Sequence, residues 1–388
     1  MSSSIQSSTR KIQIGPKKKI AFVCSGGVTK AGAFHLGVAL ALKEQGFSFR
    51  GGLMTDPNAQ TPVKPMEITS YVGSSAGSLI ASVLASGYSI ENVFNSFLGK
   101  KAEAPIDEYP KPLPRLTYQK MFKLKAEFGI DQIKQFSLVK DIFGSLIDGN
   151  LDSLLQFRWL KIPGLFSTAG IEQYLREDVL PSNRFQDLMP DLFVVGTQLN
   201  HSRKVVFGKH HYEPPPHDLT CQYNSEVGIS EACAASTALP LVYAPYRIKH
   251  PDGQEIDYID GEIRDTLSTH VAVDNGADLI IASHTHQPYH YAPEVGSLVN
   301  YGLPKILVQS IYLLVEQKIN NYVHNKKTQR SAINAVSAYC KNNGVSEEHR
   351  RKICEVLERE LHHRMDVDTI YIHPRASDGR MFVKEHFS

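Results

Sequence analysis

The sequence predicts an α/β fold, a mainly parallel central sheet with helices on both faces and helical insertions. Two repeats of one grammar carry this. The run "IAFVC" (Ile20 to Cys24) reads as a buried strand, followed by the glycine-rich "SGGVTKAG" and a helical stretch from about Ala31 to Gln45 that Gly46 stops. The order then returns: "ITSYV", a turn holding Ser75, and a helix "SLIASVLAS" ended by Gly87. Further short apolar strands at "LFVVGT", "YID" and "DLIIAS", separated by helical segments, extend the same sheet.

Residues 1–18 read as a polar and then basic tail, and 19–388 as one domain. Within it, 100–166 is set apart by prolines at 105, 110, 112 and 114 and by helical pieces rich in lysine and phenylalanine, so it reads as a helical insertion, either a lid or an ordinary helical core. Residues 304–366 read as a helical excursion. In "SEEHRRKICEVLERELHH" the residues Ile353, Val356, Leu357 and Leu361 recur at spacings that build one apolar face. The segment "DTIYIHP" then returns as a strand.

The 388 residues are 42% hydrophobic, enough for a substantial core. Lys+Arg 42 against Asp+Glu 40 gives a formal charge of +2, which does not indicate a nucleic-acid binder. Five scattered cysteines without paired spacing predict mostly free thiols. The amino terminus lacks the apolar core of a Sec signal, and no stretch is long and apolar enough to span a bilayer, so a cytoplasmic or peripheral membrane protein is expected. Export that reads no such signal lies outside that reasoning.

Chemistry concentrates at "GSSAG", where Gly73 and Gly77 flank Ser75 in a Gly-x-Ser-x-Gly pattern between a strand and a helix. A serine nucleophile needs an exposed hydroxyl, a base and donors for the developing oxyanion, and a tight strand-to-helix turn meets the first need. The plain alternative is a packed glycine-rich turn. The loop "CSGGVTKAG" also precedes a helix and offers convergent amides. It reads either as an oxyanion hole at Gly26, Gly27 and Val28, or as a phosphate cradle, although neither nucleotide-binding glycine pattern is present. Lys30 supports the loop, attracts an anionic substrate, or is simply solvated. In "YIDGE", Asp260 ends a strand and Gly261 permits a sharp turn, as a base would require and as a simple turn former would also show.

The ordered set of glycine loop, "GSSAG", "ASTALPLVYAPYRI" and "DGEIRDTLSTHVAVDNGADLIIAS" resembles the patatin-like phospholipases over about Lys19 to His284, and "DTIYIHP" is similar to that family's closing strand. The resemblance implies a patatin-like three-layer fold. It further implies a lipid acyl hydrolase with Ser75 as nucleophile, Asp260 as its partner in a dyad, the glycine loop as oxyanion hole, and no cofactor or metal. Substrate would be a phospholipid or lysophospholipid at a membrane surface, with an unidentified protein activator also compatible; the oligomeric state is left open. Two departures stand out. The family's loop usually has three consecutive glycines, one further residue, Arg or Lys, and Gly, whereas here Gly26-Gly27 precede Val28-Thr29-Lys30-Ala31-Gly32. The aspartate is usually followed by Gly-Gly or Gly-Ala, whereas here Glu262 follows Gly261, facing either the site or solvent.

Three rival readings remain. His270, His284, His286 and His290 all follow Asp260, so a Ser-His-Asp order is formally available, with His35 reading as packing or hydrogen-bonding. The segment "SHTHQPYHY" raises metal binding, although the cysteines at 24, 221, 233, 340 and 354 show no ligand spacing. A non-catalytic lipid-binding or protein-interaction module could keep the same fold. The basic pieces "PKKK", "GKK" and "NKKTQR" either steer the chain to anionic lipid or are solvated surface.

Overall fold

The computed structural model of the chain describes residues 15–55, 62–100, 112–124, 164, 166–210, 220–240, 242–293 and 295–375. Most of the 100–166 insertion, and residues 1–14 of the tail, lie outside the described residues.

In chain order the first elements are strand β1 (Ile20–Cys24), helix α1 (Val28–Glu44), strands β2 (Ser48–Phe49) and β3 (Glu67–Ser74), and helices α2 (Ala76–Ala85), α3 (Ile90–Phe97) and α4 (Tyr118–Met121). The short strands β4 (Lys123–Leu124) and β5 (Phe166–Ser167) pair antiparallel with each other. Then come α5 (Ala169–Tyr174), β6 (Asp191–Gln198), β7 (Arg203–Phe207), β8 (Cys221–Asn224), α6 (Ile229–Ser236), β9 (Tyr246–Lys249) and β10 (Glu255–Asp260). The chain closes with α7 (Thr269–Asp274), β11 (Leu279–Ser283), α8 (Gly302–Asn342), α9 (Glu347–Glu360) and β12 (Asp368–Ile372).

Among the described residues, ten strands form one mixed, mostly parallel sheet. β12, β11, β1, β3 and β6 lie side by side and parallel, while β10 and β7 add to β6 antiparallel. The reason is legible in β1. Because side chains alternate across a strand, Ile20, Phe22 and Cys24 enter one apolar core and Ala21 and Val23 the other. Leu192 and Val194 of β6 share the first core, with Phe193 and Val195 in the second. Helices α1, α2 and α6 cover the first face through Leu36, Ile80, Leu84 and Ile229. On the opposite face α7 and α8 bring Val271, Val315 and Ile319. Each fully buried large side chain, such as Phe22 or Phe193, contributes about 1.5–3 kcal/mol by leaving water. The sheet is therefore buried on both faces, as the continuous apolar strands predict.

One boundary differs from expectation. Helix α1 begins at Val28, not near Ala31, because Gly27 adopts φ 129° and turns the chain directly into the helix. Lys30 consequently sits in the first helical turn. Among the described residues, no helix is long and apolar enough to cross a membrane.

Candidate active site

Ser75 stands between β3 and α2 with φ 52° and ψ −129°, a backbone conformation that a non-glycine residue rarely adopts. Such strain persists only where surroundings enforce it. Here the Ser75 amide donates to the Ser236 hydroxyl (2.8 Å), which donates to the Val195 carbonyl (2.6 Å). The Ser75 carbonyl accepts from both the amide and the hydroxyl of Ser78. A Cβ at Gly77 would collide with the Cys24 carbonyl oxygen, so only glycine lets α2 approach the end of β1 this closely. Gly73 is crowded by the Ser78 backbone and Gly261 by the Val195 carbonyl.

That approach sets Ser75 against the first glycine loop. A Cβ at Gly26 would lie 2.7 Å from the Ser75 Cβ and 2.8 Å from the Glu262 Cγ. Thr285, just beyond β11, donates its hydroxyl to the Gly26 carbonyl at 2.8 Å and pins the loop. Gly27 follows in its turn, Val28 opens α1, and Lys30 lies within the first turn of that helix, its Nζ 5.3 Å from the centroid of the Tyr312 ring. Burial, with Lys305 nearby, lowers the Lys30 pKa to about 8.

Asp260 arrives from the far side of β6. It ends β10, pairs with Gly196, and donates its amide to the Ala238 carbonyl at 3.0 Å. The carboxyl is buried, and desolvation raises its pKa to about 6, opposed by the Ser75 hydroxyl and the Glu262 amide. The Glu262 amide donates to Asp260 Oδ1 at 2.9 Å.

Glu262 is the residue whose direction the sequence left open, and it points inward. It is only 7% exposed, and its Oε1 accepts the Gly26 amide at 2.8 Å. Its Oε2 has no hydrogen-bond partner among the described residues and lies 3.8 Å from His286 Nδ1. Desolvation first, and the neighbouring Asp260 charge second, raise its pKa to about 8, while the Gly26 amide opposes the rise.

The histidines go elsewhere. His35 bridges the Ser283 hydroxyl and the Ser25 carbonyl, His270 meets Lys204, and His284 stacks near His373. Among the described residues no histidine hydrogen-bonds Ser75 or Asp260. Ser236 and Thr285 were not singled out from the sequence; a lone hydroxyl inside a small-residue stretch carries no local signal of the long-range bond it will make.

Ser75 opens onto a mostly apolar cavity of about 600 Å³, lined also by Leu79, Phe97, Leu116, Tyr174 and Tyr243. Lys30 and Arg115 are the cations along its wall.

A strained serine between strand and helix, facing a buried carboxyl on an α/β sheet, is the layout of a serine-hydrolase-like site. The sequence model of the family described as Patatin-like phospholipase matches residues 22–273, and the chain belongs to that family, whose members are lipid acyl hydrolases. The crystal structure of VipD from Legionella pneumophila aligns at 15% identity and a TM-score of 0.36, covering 96% of this chain and 66% of that one. This chain thus spans just under two thirds of that structure's length. Among curated proteins no match was found.

Proposed function

We propose that this chain is a serine acyl hydrolase that cleaves lipid acyl esters through a Ser75–Asp260 dyad, as a phospholipase A or lysophospholipase working at a membrane surface. The observation that carries the reading is the junction of the two halves of the site. Ser75, held in its strained turn, faces the buried Asp260 on one side and a cavity of about 600 Å³ on the other.

Each part then has a task. Asp260 in its ionised form takes the Ser75 proton as Oγ attacks the ester carbonyl. Its raised pKa makes it a better base than an ordinary aspartate. Amides of the Gly26 to Val28 loop stabilise the tetrahedral oxyanion, a contribution of about 10²–10³ in rate for a single donor in related chemistry. As the intermediate collapses, Asp260 passes that proton to the leaving oxygen and the alcohol half departs; water then attacks the acyl-enzyme with the regenerated carboxylate as base, and the proton returns to Ser75 Oγ as the fatty acid leaves. The apolar walls suit a hydrocarbon chain, and Lys30 and Arg115 give the same cavity cations for a lipid phosphate.

The test is fatty-acid release from mixed phospholipid vesicles by wild type, Ser75→Ala and Asp260→Asn, with folding checked for each. Release by wild type and its loss in both folded variants is the expected result. Release that survives Ser75→Ala would remove the mechanism.

A further inference from the structure

We propose that Glu262 is a resident occupant of the oxyanion hole, its carboxyl held on the Gly26 amide so that an ester carbonyl must displace it before Ser75 can react. The inference rests on the acyl-hydrolase reading above. Its ground is geometric: the Gly26 N–H that should receive the oxyanion instead donates to Glu262 Oε1 at 2.8 Å, beside the Ser75 side chain. An oxyanion and a carboxyl oxygen ask the same donor for the same bond. They cannot both have it.

The neighbours of Glu262 fit an occupant better than a structural tie. Every buried carboxyl oxygen in a stable strut is expected to be satisfied, yet Oε2 has no hydrogen-bond partner among the described residues. The groups that face the side chain are Asp260 and Asp265 from its own segment, Ser74 from the end of β3, His286 after β11 and Tyr312 from α8. Lys318 of α8 donates to the Ile263 carbonyl at 3.2 Å, next to the same turn. Two of these neighbours are acids, which disfavour a charge on Glu262, so the side chain holds the Gly26 amide as a neutral acceptor that a developing oxyanion can outcompete. The turn that carries Glu262, Gly261–Ile263, is a single short 3₁₀ turn. Displacing the side chain therefore leaves the sheet intact.

The experiment compares wild type, Glu262→Ala, Glu262→Gln, Ser75→Ala and the Ser75→Ala/Glu262→Ala double variant. Two readouts are taken at pH 7: the rate at which a long-chain fluorophosphonate labels the protein, and hydrolysis of a long-chain p-nitrophenyl ester. Glu262→Ala should raise both rates about tenfold or more, with the contribution of one freed oxyanion donor, about 10²–10³, as the ceiling. Glu262→Gln, whose side-chain carbonyl still accepts from Gly26, should stay within about threefold of wild type. In glycine-selectively labelled protein, the Gly26 amide proton should move upfield in Glu262→Ala, reporting the lost bond without any turnover.

An unchanged or lower rate in folded Glu262→Ala overturns the inference, as does a Gly26 resonance that does not move. Silence of both wild type and Glu262→Ala towards probe and ester overturns it too, because removing the occupant should itself expose the site. Ester hydrolysis that persists in the double variant is a different failure. It would remove the serine mechanism beneath.

Discussion

The Ser75 amide is suspended from the Ser236 hydroxyl at 2.8 Å, and that hydroxyl is in turn anchored on the Val195 carbonyl. One side chain from α6 thus couples the strained turn to the centre of the sheet. Ser236→Ala leaves a buried N–H without its acceptor, at a cost of about 1–3 kcal/mol. The expected outcome is a Tm lower by several degrees together with slower ester hydrolysis; an unchanged Tm would count against the anchor.

Strain at the turn predicts the opposite effect for a change at its apex. Ser75→Gly relieves a positive φ of 52° that costs a non-glycine residue about 1–3 kcal/mol. The flexibility of glycine in the unfolded chain offsets part of that gain. We expect a variant with no activity and a midpoint of chemical denaturation at or above that of wild type.

Two glycines on neighbouring helices should respond in contrary ways to the same methyl group. Gly77→Ala drives a Cβ into the Cys24 carbonyl, and the clash should cost about 3 kcal/mol or more. Gly37, exposed inside α1, has nothing within 4 Å of a built Cβ. Gly37→Ala should therefore stabilise by about 0.5–1 kcal/mol. Thermal denaturation of both variants checks the pair.

In the proposed mechanism Asp260 sets the acid limb of the reaction. With its pKa raised to about 6, the base form is lost as pH falls through that value, so kcat/KM should drop about tenfold per unit below it. An ordinary aspartate would hold its activity down to about pH 4. A profile of kcat/KM between pH 4.5 and 7.5 distinguishes the two.

Stability should follow a separate titration. Glu262 has a folded pKa of about 8 against about 4.3 for a free glutamate, so the native state holds a proton that the unfolded chain releases between those values. That proton's contribution is complete below about pH 4 and is lost as pH rises through about 8. Relative to wild type, Glu262→Gln should gain about 1.4 kcal/mol for each pH unit climbed inside the window. Denaturation of both proteins at pH 6 and pH 9 measures it; a gap that shrinks with rising pH would contradict the burial of this carboxyl.

The sheet and its serine turn were legible because their signals are local. Apolar runs of strand length, each followed by glycine and a helical pattern, need no knowledge of distant residues. α1 starts a few residues before the position its helical pattern predicts, because the boundary depends on the φ of Gly27, which composition does not reveal. Glu262 was ambiguous for a different reason. Whether it faces the site is decided by a short turn after β10, where Gly261 packs on Val195 and the following amide caps Asp260. Ser236 and Thr285 act through partners far along the chain, and no pattern within a few residues marks them.

The placement of β1 between β3 and β11 also has a consequence for biosynthesis. Ile20 finds Ile68 early, but its other neighbour, Leu279, and the Thr285 hydroxyl that fixes the glycine loop are made much later. Pairings so distant in sequence form slowly, because loop closure precedes any reward from contact. A chain still on the ribosome thus carries its serine turn before the loop beside it is fixed, and the two halves of the site come together only after β11 has been made.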